Sequence, residues 1–393
     1  MHIRFPLALL AATALVGPGA AQETTAWRLF VGDHAEGRVT VIDPVAADTI
    51  ASFDLAGPPS LYTEGSNIFA VQGAANQVSA IRSGIAIDDH GDHGDIDITD
   101  PVLVDATVTG ERPVHFVGHD GDVAIFFDGS GLASILDADA WIAGEAVEPR
   151  EIDSGAPHHG VAIPWGDYTI VSVPHPENPS NLPIGVNVLD AGGYVVGDTH
   201  GCADLHGEAS SGNILAIACA EGLLLLSGSG EPEVERIGYD GLPEGKSTTL
   251  IGGRGMQYFV GNYGSDKAVI IEPGAEPIFR LVELPTRRVH FVADPVRPRF
   301  AYIFTEDGDL HQLDVVSGKI AQTVRVTEPY SMDGEWSLPR PRLAVAGDHV
   351  AVTDPLAGVV HMIEVDTFTV AEAIAVDGLP YTVVAVGGSG TQH

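Results

Sequence analysis

The chain has 393 residues, 45% of them hydrophobic, with 54 Asp plus Glu against 19 Lys plus Arg and a formal charge of −35. That length and apolar content are enough for a large folded core and exclude a disordered chain. So acidic a surface repels phosphate backbones, which excludes nucleic acid as a partner, and attracts cations without selectivity.

The N-terminus reads as an export signal. His2 and Arg4 give a weakly positive start, Phe5 to Val16 is apolar, and Gly19-Ala20-Ala21 is a small-residue cleavage site. Residues 1–21 are thus expected to be a signal peptide and residues 22–393 the mature chain, beginning near Gln22. No later apolar run approaches the ~20 residues needed to cross a bilayer. The expected destination is the bacterial periplasm, with no membrane span.

From Trp27 onward the chain is a succession of short strands, with Gly, Asp, Asn and Pro punctuating at short intervals. Leu132 to Gly144 is the best helical candidate, at one or two turns. The strands group into units running Trp27–Leu55, Ser60–Thr109, Pro113–Ile152, Pro157–Asp198, Cys202–Ile237, Ser247–Leu284, Val289–Val326 and Arg342–Val376. All-strand repeats of this length signal an all-β fold, a β-propeller with one four-stranded sheet per blade. The first unit is a strand short and Pro380 to Val386 is a strand too many. Placing the C-terminal strand innermost in the first blade closes the ring and leaves no open edge. Eight blades in a single domain are expected, with seven as the alternative. Thr327 to Pro341, which carries Trp336, reads as a long loop across one face.

Two stretches carry chemistry. The first is Asp88-Asp-His-Gly-Asp-His-Gly-Asp, inserted in the second unit, where His90 and His93 are interleaved with Asp92 and Asp95. Imidazole with carboxylate suits zinc and other first-row divalent ions. The spacing does not fit an EF-hand, which needs a Glu at its twelfth position and takes no His. The bland alternative is a solvated acidic loop.

The second is a recurring phrase in which a histidine opens a short apolar run: His115-Phe-Val-Gly, His159-Gly-Val-Ala, His206-Gly-Glu-Ala and His290-Phe-Val-Ala. Each sits near the start of a unit's first strand, the one that lines a propeller's channel. One shared register places the four at one height, near one mouth, where three or four nitrogens about 2.0–2.1 Å from a common point make a zinc site. Taken singly, each histidine could merely cap a strand. His158 adjoins His159, so the two point to opposite sides, and register selects His159. Asp204, two residues from His206, is a ligand or an orienting carboxylate. His119 and His200 read as turn residues. His34, His175, His311, His349 and His361 have no repeat partners and read as surface or loop histidines.

The only two cysteines, Cys202 and Cys219, are 17 residues apart. In an oxidising compartment an isolated pair is expected to form a disulfide, worth roughly 3 kcal/mol by loop closure. The bridge would clamp the segment that carries Asp204 and His206.

No Gly-x-Ser-x-Gly elbow, phosphate loop or haem-attachment motif is present. Glu208, beside a metal, could serve as a base, but nothing else assembles a reaction. On the residues alone the chain is an exported propeller with a metal site. The export signal, the repeats, the His-Gly-Asp-His-Gly-Asp stretch at 90–95 and Cys-Ala-Asp-Leu-His-Gly-Glu-Ala at 202–209 resemble the AztD-type periplasmic zinc metallochaperones. The resemblance covers essentially the whole mature chain. It implies a β-propeller, not an enzyme, that binds zinc and passes it to the zinc solute-binding protein of an ABC-type importer. It assigns a flexible accessory metal site to His90, Asp92, His93 and Asp95, and the tight site to the inner-strand histidines. The alternatives are a metal-dependent, lactonase-like propeller hydrolase and a metal-free interaction scaffold. Metal content and a turnover screen on lactones and esters separate the three.

Overall fold

The second strand of each unit follows most directly from its sequence. Runs such as Val123-Ala-Ile-Phe-Phe and Ala301-Tyr-Ile-Phe-Thr are apolar without alternation, and they are buried on both faces, between the two neighbouring sheets. Outer strands differ. In Lys319–Arg325 exposed residues alternate with half-buried ones, as a sheet edge facing water requires. The computed structural model describes residues 22–90, 94–145 and 148–392. The expected signal segment at 1–21, and with it Asp92 and His93, lies outside the described residues.

Eight sheets, antiparallel but for one parallel pair in the first, follow one another around a ring. The inner strands of blades two to eight are Ser60–Glu64, Pro113–His119, Ala162–Trp165, Glu208–Ser211, Leu250–Ile251, Arg288–Ala293 and Leu343–Ala346. Pro380–Gln392 enters the first blade as its innermost strand, antiparallel to Gln22–Asp33, with Leu29 opposite Ala385 and Val31 opposite Val383. The C-terminal strand therefore closes the ring as expected. The count is eight, because every unit supplies its own sheet. The cores lie between blades, as where Trp165, Val186, Leu215 and the buried Cys202 and Cys219 pack together.

Three departures from the repeat matter. The paired strands of the first blade run on past Trp27 and Gly387 and pick up a hairpin, Ile85–Asp89 with Gly94–Ile98, through the parallel pair Thr391 and Asp95. That hairpin is the insertion in the second unit. The helical candidate resolves into a strand, Leu132–Asp137, then a short helix, Ala138–Ala143. The Asp137 side chain caps the helix by accepting the Ala140 N–H at 2.7 Å, and Gly144 ends it at φ 78°. The third departure is the long connection from Thr327 to Pro341. No helix among the described residues is long and apolar enough to cross a membrane.

Two histidines read as surface residues are not. His311 is buried, bonded to Thr305 and Thr323, and His361 faces the buried Asp354 at 3.3 Å. Both lie inside blades, where a polar ring needs partners. His119 ends the inner strand of the third blade and stacks on Trp165, and His200 lies in the outer strand Val195–Gly201.

Candidate metal centre

The three histidines of adjacent blades meet. His115 lies on the inner strand of the third blade, His159 just before that of the fourth, and His206 just before that of the fifth. The Nε2 atoms of His115 and His159 are 3.2 Å apart. The His159 and His206 rings lie 5.5 Å apart between centroids, tilted by 37°. The three rings line a cavity of about 800 Å³ with Tyr62, Arg112, Val114 and Trp336 at one mouth of the ring.

Each ring is oriented by what its other nitrogen touches. The Nδ1–H of His159 donates to the buried Asp128 carboxylate at 2.7 Å, and that of His206 to the Thr248 carbonyl at 2.8 Å. Both rings therefore turn Nε2 towards the cavity. His115 Nδ1 stands 3.7 Å from Glu208, whose second carboxylate oxygen is buried without a partner, as is the second oxygen of Asp128. Burial alone would lower the His115 pKa, but Glu208 and then Asp128 outweigh it and raise it. Burial likewise pushes Glu208 up, and His115, His206 and His159 more than reverse this and lower it. Beside the same carboxylate, burial and Glu208 push the Tyr62 hydroxyl up to about 12.

Local sequence explains the placement. Gly207 sits at φ 94°, and a Cβ there would lie 2.6 Å from the Thr248 carbonyl that holds His206. A Cβ at Gly160 would lie 2.5 Å from the His158 ring and the Ser172 hydroxyl. The His-Gly pairs thus let the chain turn from loop to inner strand against a neighbouring blade. His158 points the other way, into the core, bonded to Ala156 and Ser172 at 2.8 Å each. The Cys202–Cys219 disulfide is present, with Cα atoms 5.0 Å apart. It ties the His206 loop to strand Ile214–Cys219, to which His206 also donates its backbone N–H, at the Ala218 carbonyl.

Among the described residues, the structure does not bring the other candidates to this cavity. His290 occupies a register equivalent to His115, each just past a bulge and opposite Phe304 or Phe126. Blades three and seven, however, are half a ring apart. Shared register sets height along the channel and says nothing about the angle around it. His290 instead accepts the Leu343 N–H at 3.1 Å, and burial followed by Arg342 and Arg288 holds its pKa well below the usual histidine range. Asp204 is a turn residue at φ 54° and pairs with Lys246 at 2.8 Å. His90 faces Asp95 at 3.3 Å and Asp88 at 3.7 Å. Their hairpin springs from Arg82 and Val102, level with Asn67, whereas the imidazole cavity touches the Gly73–Ala74 turn at the other end of the same blade. The two candidate metal stations are therefore on opposite faces of the disc.

The donor set suits zinc. At Zn–N distances of about 2.0–2.1 Å a tetrahedral site separates its nitrogens by roughly 3.3 Å. The His115–His159 separation is already close to that. Among the described residues no three His, Cys, Asp or Glu side chains are drawn into full ligand geometry, so His206 has to close on the pair to complete a three-nitrogen site. Asp128 and Glu208, which orient and charge-balance the rings, were not foreseen as partners of this kind. Asp128 has no sequence signal, and Glu208 carried only its place two residues after His206.

The fold and the site define a class: an eight-bladed propeller with a carboxylate-backed cluster of three imidazoles at one mouth of its channel. Comparison narrows this. The chain is 48% identical over 389 residues, 98% of its length and 92% of the relative's, to the zinc chaperone AztD of Citrobacter koseri. The crystal structure of Citrobacter koseri AztD superposes with a TM-score of 0.92 at 49% identity, covering 94% of this chain and 100% of that one. The apo form of the same protein gives 0.89 at 47% identity, with the same coverage. The chain belongs to the AztD family of zinc chaperones. The dihydro-heme d1 dehydrogenase NirN, at 14% identity and a TM-score of 0.59, shares the fold alone. No family model matches the chain.

Proposed function

We propose that this protein is a periplasmic zinc metallochaperone that holds zinc at His115, His159 and His206 and passes it to the solute-binding protein of an ABC-type zinc importer. The observation that carries the reading is the 3.2 Å approach of two imidazole nitrogens in a cavity that the third lines. Kinship with a protein named as a zinc chaperone supports zinc as the cargo. The apolar segment at the N-terminus and the disulfide support the periplasm.

The residues divide the work. Three neutral imidazoles supply the lone pairs. Asp128 holds the His159 tautomer, the Thr248 carbonyl holds that of His206, and Glu208 offsets the charge of a divalent ion. An open cavity leaves room for an incoming donor, so the ion can leave by ligand exchange without ever being free. His90, Asp92, His93 and Asp95 form a second, exchangeable station that collects zinc, and of these His90 and Asp95 lie on the far face. The protein is a carrier.

The test is direct. The mature chain is loaded with zinc, mixed with the purified solute-binding protein and separated from it, and zinc is counted in each fraction. The reading requires zinc to move to the acceptor. It fails if the chain purifies with no zinc and takes none up.

A further inference from the structure

The connection from Thr327 to Pro341 crosses the face that bears the imidazole cavity, and it is held firmly. The buried Arg340 guanidinium donates to the carbonyls of Ser331, Asp333, Glu335 and Trp336 at 2.9–3.3 Å. Arg287 binds both Glu306 and Asp333, and Glu306 also accepts the Met332 N–H. Tyr330 donates its hydroxyl to Asp354 and its N–H to the Glu306 carbonyl at 2.7 Å. So many bonds fix a segment with little apolar burial of its own. Yet at its crest Trp336 is 88% exposed, while Trp141 and Trp165 are buried. An indole is a large apolar group with one polar edge, and it is normally at least half covered. Here it stands on a braced loop at the rim of the cavity, facing solvent beside Arg112.

Hand-off by ligand exchange limits what can cover it. The incoming donor atom must come within about 2 Å of the ion, so its carrier must seat on the rim of which Trp336 is part. A free chelator needs no such seat, but a folded protein does. We propose that Trp336 is the docking anchor on which the zinc-accepting protein seats over the cavity, its indole filling an apolar pocket of that partner. This rests on the transfer reading above. Solvent-exposed Trp pre-positioned by rigid neighbours loses little entropy on binding and is the residue type most often found to dominate interface energetics.

The experiment compares the wild type, Trp336→Ala and Trp336→Phe, each loaded with zinc, with Tyr194→Ala as a control for an exposed aromatic elsewhere. Zinc affinity is measured by chelator competition, release to a small chelator by stopped flow, and transfer to the purified solute-binding protein as its concentration is varied. For Trp336→Ala, affinity and release to the chelator should match the wild type, while transfer at low acceptor concentration falls roughly 10-fold or more. Trp336→Phe should recover part of the rate, and Tyr194→Ala all of it. Acceptor should also shield Trp336 fluorescence from iodide. Wild-type transfer by Trp336→Ala overturns the anchor, as does loss of zinc affinity in that variant. A wild-type dimer that Trp336→Ala converts to monomer also overturns it, since the occupant is then a second copy. If the wild type passes zinc to the acceptor no faster than to the chelator, the transfer reading itself falls and takes the anchor with it.

Discussion

His115 and His159 point Nε2 at Nε2 across the gap between the third and fourth blades, 3.2 Å apart. His159 has its proton on Nδ1, where Asp128 accepts it, so its Nε2 presents a lone pair. The contact then requires the proton of His115 Nε2 to lie between the rings. A proton occupies the position that a zinc ion would take, and metal binding amounts to its displacement.

It follows that alanine at His115, His159 or His206 should each cost most of the zinc affinity, more than the roughly 10–100-fold expected of an outer hydrogen-bond partner. His290→Ala and His349→Ala should leave it near the wild-type value. Chelator competition on the five variants decides the matter. Wild-type affinity in the first three would mean that these rings only brace strands.

Carboxylates near the site should sort by contact and not by sequence distance. Asp128→Asn keeps shape but removes the charge that fixes His159, and should weaken zinc binding roughly 10–100-fold. Asp204→Ala breaks only an exposed pair with Lys246, and surface pairs of this kind contribute about 0–1 kcal/mol. Its zinc affinity should be unchanged. Equal effects in the two variants would put Asp204 back among the site residues.

The difference between those two aspartates shows what could be read from the sequence. The blades could, because continuous apolar second strands and regularly spaced turn residues are local signals, and the missing strand of the first blade had one candidate at the C-terminus. The height of the histidines could too, since register is local to a strand. Their angle around the channel could not: it depends on which blades are neighbours, so His290 shares the pattern and sits half a ring from His115. Asp128 is 31 residues from His159 on another blade, with no periodicity to link them. Asp204 is two residues from His206, but at φ 54° the backbone turns between them, and strand alternation does not apply.

Removing Asp89 to Asp95 should separate the two metal stations. The hairpin's buried side chains, Ile85 and Ile96, lie outside the deleted stretch, so the fold should survive with its circular dichroism and melting temperature nearly intact. Because the hairpin springs from the face opposite the imidazole cavity, zinc affinity of the tight site should be the same as in the full chain, while the number of zinc ions bound falls. Calorimetric titration gives both values. Loss of all zinc binding would place the primary site on the hairpin.

The pair formed by His115 and Glu208 sets how binding should respond to pH. Its charged form stabilises the zinc-free protein. The raised His115 pKa contributes stability fully below the unfolded value of 6.5 and loses it as pH rises through the folded pKa above that. The lowered Glu208 pKa contributes above the unfolded value of 4.5 and is lost as pH falls through the folded pKa below it. The pair therefore helps the zinc-free state most between those two values. Zinc needs His115 unprotonated, so its binding should weaken as pH falls through a value above 6.5, earlier than for an ordinary imidazole. Glu208→Gln removes the carboxylate that raises His115. It should lower the melting temperature of the zinc-free protein at pH 6 more than at pH 8, and shift the loss of zinc binding to lower pH. Thermal melts with zinc and with EDTA, taken at intervals across this range for both proteins, measure each effect. A zinc-induced stabilisation equal at pH 6 and pH 8 in the wild type would show that no histidine proton is displaced, and the site would have to be sought elsewhere.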